Sequence, residues 1–343
     1  MFRGHLLDLR TTAFALTNQG HTLESACRAF AVRFIKREVQ HGRITPEYVD
    51  YNREDVGATA QLFEAVVTEY ARHPIDLQPT SPYSPASIGK ANLRAMGVRP
   101  PLERQPDFPR ELLGSAMTAY FGGRTECRIR RAPVPVIYLD FLAMYSTVCA
   151  LVNLWRLLTA GSLRVVKHEP ALLQAQLDAL TADQLFDRDA WPQLVGLAWT
   201  QPTGDILPVR ARYARRNRNF GIGVNPLTCD EPLPYALPDV YAAALLGGRA
   251  PKIVRHITFE PVGRTQGLRP VALRGEVEID PRRDDLFKAL VEQRKRIADR
   301  DDLPPVEREW LNAFLKVFGI FHQLRHLRRD EPPGAAQRET RQR

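Results

Sequence analysis

The residues best suited to chemistry lie in the segment 138–145, which reads Tyr-Leu-Asp-Phe-Leu-Ala-Met-Tyr. The run before Asp140, residues 134–139, is apolar on both faces of an alternating pattern, which predicts a buried strand ending at that carboxylate. Carboxylate oxygens suit Mg²⁺, and divalent metals stabilise the attacking and leaving oxygens in phosphoryl transfer. The ring of Tyr145 could lie flat under a sugar, so the segment fits a site that holds a metal against a nucleotide. The alternative is that Asp140 caps a turn and Tyr145 belongs to the core.

A second candidate site lies upstream, at Tyr120-Phe121-Gly122-Gly123-Arg124. The glycine pair allows backbone N–H groups to approach a phosphate, and Arg124 adds a positive charge. A plain hairpin turn would use the same two glycines. The pattern alone therefore leaves phosphate binding and a structural turn both open.

A long helix is predicted to follow Thr45 and Pro46, which suit the N-cap and the first helical position. Tyr51 and Asp55 are four residues apart, so they share a face of this helix. The predicted buried stripe of the helix consists of Val49, Val56, Phe63, Val67 and Tyr70. Further upstream, Thr22 is predicted to cap an earlier helix.

Two cations lie on a predicted helix hairpin late in the chain. A strong helix is predicted after Asp280-Pro281, and Arg294 lies on its apolar side, an unusual place for a merely solvated arginine. Pro304-Pro305 breaks this helix and starts another, on which Lys316 lies off the apolar stripe. Two helices joined by a tight proline turn form an antiparallel hairpin.

In order and spacing these segments resemble family-B DNA polymerases. The first polymerase motif of that family usually reads Asp-Phe-x-Ser-Leu-Tyr-Pro-Ser. Asp140, Phe141 and Tyr145 match it, whereas Ala143, Met144 and Ser146 depart from it. Residues 120–124 resemble the Tyr-x-Gly-Gly motif between the exonuclease and polymerase domains. Residues 51–55 resemble the Tyr-x-x-x-Asp motif of proofreading nucleases.

The resemblance implies roles for these residues. Asp140 would bind catalytic Mg²⁺, Tyr145 would lie under the sugar of the incoming nucleotide, and Arg294 and Lys316 would grip its triphosphate. Asp55 would be a metal ligand of a vestigial exonuclease site, with Tyr51 orienting the attacking water. The residues implied to contact the template strand are Tyr120, Gly122, Gly123 and Arg124.

The implied fold is α/β, made of the C-terminal part of a ribonuclease-H-like exonuclease domain, a partial α+β palm and a fingers helix hairpin. The predicted boundaries are 1–75 for the exonuclease remnant, 76–119 for a Pro-rich linker, 120–279 for the palm and 280–317 for the fingers. Residues 318–343 are predicted to be a disordered basic tail, read out of frame relative to polymerases. Sequencing the gene would test that frame.

Composition favours a nucleic-acid partner. Lys and Arg number 48 against 39 Asp and Glu, a formal net charge of +9, which favours anionic partners. The chain has no run of 18 apolar residues and no leader pattern, so we expect a protein that does not enter membranes and is not exported. Its four cysteines lack metal or disulfide spacing, which favours reduced thiols in a cytoplasmic protein.

The function expected from the resemblance is that of a polymerase fragment, inactive alone, whose parent enzyme uses Mg²⁺, deoxynucleoside triphosphates and a DNA primer-template. The polymerase motif Asp-Thr-Asp is absent; Asp187-Arg188-Asp189 precedes the fingers and is predicted to be a surface turn. Two alternatives are a nuclease that uses Asp140 and Asp55, and a non-catalytic nucleic-acid-binding protein.

Overall fold

The structure is a computed structural model, and the residues it describes are 6–34, 37–39, 41–121, 129, 131–139, 141, 143–211, 221–297, 300, 303, 306–307 and 310–311. Five of the residues singled out above, Gly122, Gly123, Arg124, Asp140 and Lys316, lie outside this part of the chain. The tail 318–343 lies outside it as well.

The described part is a mixed α/β structure with antiparallel sheets. Its helices are α1 (Leu9–Thr17), α2 (Leu23–Ala29), α3 (Pro46–Ala71), α4 (Pro85–Ala95), α5 (Pro101–Arg104), α6 (Arg110–Thr118), α7 (Met144–Leu151), α8 (Leu154–Thr159), α9 (Pro170–Asp178), α10 (Leu237–Gly247) and α11 (Leu286–Ile297). Its strands are β1 (Ser162–His168), β2 (Gly196–Gln201), β3 (Thr203–Ala211), β4 (Gly221–Thr228), β5 (Leu233–Ala236), β6 (Lys252–Val262), β7 (Val271–Leu273) and β8 (Val277–Ile279). Two 3₁₀ helices, Ala182–Phe186 and Arg188–Leu194, precede β2.

The chain divides into two compact units. The first unit comprises Met1–Met96, Arg269–Asp280 and Lys288–Arg343, and the second comprises Gly97–Leu268 and Pro281–Phe287. The first unit is therefore assembled from segments that are far apart in sequence.

Capping residues set the helix starts of the first unit. The side chain of Thr22 accepts a hydrogen bond from the N–H of Ser25 at 3.2 Å, and Thr45 accepts one from Tyr48 at 3.2 Å, with Pro46 opening α3. Both predicted N-caps are confirmed. These hydrogen bonds satisfy N–H groups that have no partner inside the helix.

The buried face of α3 differs from the predicted one. Val56 and Phe63 are 63% and 47% exposed, whereas Leu62 and Val66 are 2% and 0% exposed. The predicted stripe was wrong at Val56 and Phe63, whereas its last member, Tyr70, is buried. The helix packs along a neighbouring row that also contains the small residue Ala58.

A buried ion-pair network joins α3 to the β7–β8 hairpin inside the first unit. Arg274, 2% exposed, donates two hydrogen bonds to the Glu69 carboxylate, at 2.5 and 2.9 Å, and one to Glu276 at 3.1 Å. Arg72 also pairs with both carboxylates. Such a bidentate pair fixes the orientation of both side chains, because the guanidinium fork matches the carboxylate.

The second unit is built on a four-stranded antiparallel sheet of order β1–β6–β2–β5, beside the separate β3–β4 hairpin. A core forms where α9 and α10 pack on these strands. Its buried members include Leu173, Leu177, Ala198, Leu207, Tyr235, Leu237 and Val240.

The predicted Pro-rich linker, 76–119, is not extended. It contains α4, α5 and α6, which begin at or just after prolines, as expected from the fixed φ of proline at the first helical turn. Ile88 and Leu93 of α4 are buried, and so is Leu112 of α6.

The predicted buried strand over 134–139 was also wrong. Residues 133–139 form neither helix nor strand, and Ile137, Tyr138 and Leu139 are 87%, 89% and 84% exposed. An apolar run becomes a strand only where another strand lies beside it to accept and donate its backbone hydrogen bonds.

Candidate nucleic-acid interface

Arg210 of β3 anchors the segment that leads into the glycine pair. Its guanidinium donates a hydrogen bond to the carbonyl of Thr118 at 3.0 Å and another to the carbonyl of Tyr120. The same guanidinium lies 4.5 Å from the ring centroid of Phe121, within the range of a cation–π contact. Arg210 thus holds the last residue of α6 and two of the three residues that follow it.

The ring of Phe121 is held from a second direction. It stacks on Tyr235 of β5 with ring centroids 5.6 Å apart and planes 10° apart. The hydroxyl of Tyr235 donates to the carbonyl of Pro208 at 3.1 Å, and burial raises the pKa of this phenol to about 12. Phe121 is therefore fixed to two strands of the second unit, while Tyr120 is 41% exposed.

These contacts fix the backbone of the segment that ends at Phe121, immediately before Gly122, Gly123 and Arg124. They leave the ring of Tyr120 exposed. Sequence reasoning found the motif but missed Arg210 and Tyr235, which lie about 90 and 115 positions further along the chain. No sequence signal links them, since the contact depends on how β3 and β5 are placed.

Tyr145, which was predicted to lie under the sugar of a nucleotide, is the second residue of α7 and is 53% exposed. Ala143, directly before the helix, has a left-handed backbone with φ of 52°. An exposed ring at a helix start is available to a ligand. Asp140, its predicted partner, lies outside the described residues.

The predicted exonuclease remnant keeps its local geometry on α3. A hydrogen bond with the Asp55 side chain raises the pKa of Tyr51, so the two side chains meet as their spacing predicts. Tyr51 also stacks on Tyr48 with centroids 6.1 Å apart, and His41 lies edge-on to both rings. Among the residues that the structure describes, no group of three or more His, Cys, Asp or Glu side chains is arranged to hold a metal ion.

A cavity of about 480 Å³ lies against the neighbouring face of α3. Arg33 and Arg37 line it opposite Glu54, and Arg37 pairs with Glu54 at 2.5 Å. The sequence analysis did not single out these arginines, because they precede the helix in a segment without a recognisable motif.

Arg294 lies on α11 in a half-buried position, so its helix is as predicted. Phe287 and Leu290 of the same helix are fully buried. Lys316, the second predicted triphosphate-binding residue, lies outside the described part.

Comparison with known proteins assigns this chain to no family. No protein-family model, no curated protein and no solved structure matches the chain. In the portion that the structure describes, no helix is long and apolar enough to cross a membrane.

Proposed function

We propose that this chain is a nucleic-acid-binding fragment of a family-B-like DNA polymerase, with the template strand bound at residues 120–124. The observation that carries the proposal is the anchoring of this segment by Arg210, which holds the Tyr120 backbone and the Phe121 ring in place. An anchored backbone with an exposed tyrosine, followed in sequence by a glycine pair and a cation, suits a single strand, because bases stack on aromatic rings and phosphates attract arginine.

The order of the other motifs supports a polymerase origin. Residues 51–55 would belong to a ribonuclease-H-like exonuclease domain, and 120–279 to a palm. The parent enzyme would use Mg²⁺ at Asp140 and deoxynucleoside triphosphates near Tyr145, Arg294 and Lys316. We propose that this chain alone does not extend primers, because one carboxylate holds Mg²⁺ weakly.

DNA binding is tested with a fluorescent primer-template that has a single-stranded overhang, by anisotropy over a range of salt concentrations. Tyr120→Ala should weaken binding about tenfold through lost stacking. Arg124→Ala should weaken binding and reduce the slope of log K against log salt by about 1. Arg188→Ala is the matched control, since Arg188 is an exposed arginine of the second 3₁₀ helix.

Three outcomes decide between the candidates. If Tyr120→Ala and Arg124→Ala bind like Arg188→Ala, residues 120–124 are not the interface and the proposal is wrong. Primer extension with Mg²⁺ and all four nucleotides that disappears in Asp140→Ala would show an intact polymerase instead of an inactive fragment. A non-catalytic nucleic-acid-binding protein is the second candidate; a DNA affinity that does not depend on a primer-template junction would favour it.

A further inference from the structure

A run of exposed apolar side chains lies in the second unit at residues 133–139. Val136 is 83% exposed, and Ile137, Tyr138 and Leu139 are exposed to a similar degree. No backbone hydrogen bond joins this run to another described residue. Single exposed apolar residues are ordinary, whereas a contiguous apolar patch marks an interaction surface.

The sequence of this run favours an extended backbone. Pro133 and Pro135 hold φ at about −65°, and each restricts the residue before it to extended conformations. Val136 and Ile137 are β-branched and Tyr138 is aromatic, and these residue types are enriched in strands. An extended segment without a neighbouring strand presents unpaired N–H and C=O groups to any strand that can lie beside it.

The two prolines leave one edge of this segment suited to pairing. Backbone groups of successive residues point to alternate edges of a strand. The odd-numbered edge lacks the N–H groups of Pro133 and Pro135, whereas Val134, Val136 and Tyr138 keep theirs on the even-numbered edge. One complete edge accepts one partner strand, so pairing through it ends at two chains and does not continue into a growing sheet.

We propose that residues 133–139 form a dimerisation strand, which pairs antiparallel with the same segment of a second copy of this chain. Pairing through the even-numbered edge places Val136 opposite Val136 of the second copy, and Val134 opposite Tyr138. Each of these residues donates its N–H and accepts with its C=O across the two-fold axis. The pair of Val134 and Tyr138 joins a β-branched and an aromatic side chain, a combination that stabilises a sheet.

The exposed apolar area is that of a dimer interface. Aromatic side chains bury about 150–250 Å² each and aliphatic ones less, so residues 136–139 and the exposed Phe141 offer on the order of 800 Å². A standard interface takes about 800 Å² from each partner. A two-stranded ribbon also needs packing on one face, and α7, which follows closely, carries the exposed Met144 and Val148.

Charges at the two ends of the run favour antiparallel over parallel pairing. Arg131 precedes the run and Asp140 follows it in the sequence. Antiparallel strands bring Arg131 of one copy to the end where Asp140 of the other copy follows. Parallel strands would place like charges opposite each other, which is destabilising.

Sedimentation velocity of the whole chain, freed of nucleic acid and measured over a range of concentrations, tests the dimer. The wild type should form a closed dimer with a dissociation constant in the micromolar range or tighter, as interfaces of this size do. Val136→Pro should weaken dimerisation about 30–100-fold, because each copy loses an N–H on the pairing edge and the ring meets the facing carbonyl.

Ile137→Pro is the matched control. It introduces the same ring one residue further on, where the N–H points to the other edge, and it should weaken dimerisation about fivefold or less. Both side chains are exposed, so neither variant should change the Tm of the monomer. This comparison separates strand pairing from general hydrophobic association, which both variants would weaken equally.

The proposal is overturned if the wild type stays monomeric throughout the micromolar range, or if its oligomers grow beyond the dimer. It is also overturned if Val136→Pro dimerises like the wild type, or if the two proline variants are impaired to the same extent. No nucleic acid enters this experiment, so its result is independent of the proposed DNA binding at residues 120–124.

Discussion

Single side chains decide whether the loop before Gly122 is ordered. The guanidinium of Arg210 makes three contacts, with two carbonyl oxygens and with one aromatic ring. Lysine could not replace it, because an ammonium is a point charge without a rigid fork. Arg210 is in this respect a positioning residue for Tyr120.

We expect Arg210→Ala to weaken primer-template binding about tenfold by releasing this loop, on the scale of one or two charge-assisted hydrogen bonds. Arg210→Lys should recover little of the loss. Salt-dependent anisotropy distinguishes positioning from direct contact: the salt slope should stay that of the wild type. A slope reduced by about 1 would mean that Arg210 itself contacts a phosphate.

A buried histidine makes the first unit sensitive to acid. Burial, together with the nearby charges of Arg274 and Arg72, lowers the pKa of His73 to about 4 from its ordinary 6.5. The unfolded chain therefore binds this proton more readily than the folded chain. The stabilising contribution is complete above pH about 6.5 and is lost as the pH falls towards 4.

Between pH 7.5 and pH 5, His73 should account for a loss of about 2 kcal/mol in the free energy of unfolding. Urea unfolding of the wild type and His73→Gln at both pH values measures it, and the variant should lose less stability on acidification. His41→Gln is the control, because His41 is an exposed histidine. Equal acid losses in wild type and His73→Gln would contradict the assignment.

At the scale of elements, α3 shows how packing selects one face of a helix. Its buried row passes through Ala58, Leu62 and Val66, while Val56 and Phe63 point away from it. Hydrophobic periodicity predicts that a helix forms here. It does not predict which of the two apolar rows on α3 is buried. The row that fits against the neighbouring helices is buried because close packing rewards shape as well as hydrophobicity.

This difference gives a matched pair of variants. Leu62→Ala should cost about 2–5 kcal/mol, since it removes buried methyl groups and leaves a cavity. Val56→Glu should change stability by about 0.5 kcal/mol or less, because the site is 63% exposed. Denaturant unfolding of both variants checks the assignment. A larger cost for Val56→Glu than for Leu62→Ala would show that the opposite face is packed.

At the scale of the whole molecule, the two compact units contain different motifs of the proposed parent polymerase. Tyr51 and Asp55 lie in the first unit, and the anchored Tyr120 lies in the second. Cleavage of phosphodiesters by metal ions requires several carboxylates that converge on those ions. Tyr51 and Asp55 supply only one carboxylate.

We therefore expect no 3′→5′ exonuclease activity from this chain. The assay is trimming of a mismatched primer end in the presence of Mg²⁺ or Mn²⁺, with Asp55→Ala prepared in parallel. Any trimming should be equal in both proteins and attributable to contamination. Trimming by the wild type that Asp55→Ala abolishes would refute the expectation and favour the nuclease alternative.

The sequence by itself determined the features that depend on neighbouring residues. The caps at Thr22 and Thr45, the start of α3 at Pro46 and the meeting of Tyr51 with Asp55 follow from hydrogen bonds and helical spacing within a few positions. Such local interactions need no other part of the chain.

Tertiary structure alone decided which face of α3 is buried, that residues 133–139 form no strand, and that Arg210 holds the loop after α6. It also brought His168 opposite His256, which are 88 positions apart in the sequence. The physical reason is common to all of these. Burial, strand pairing and long-range hydrogen bonds depend on how distant segments are placed. For strand residues such as Arg210, His168 and His256, a one-residue shift of register would turn the side chain to the other face of the sheet.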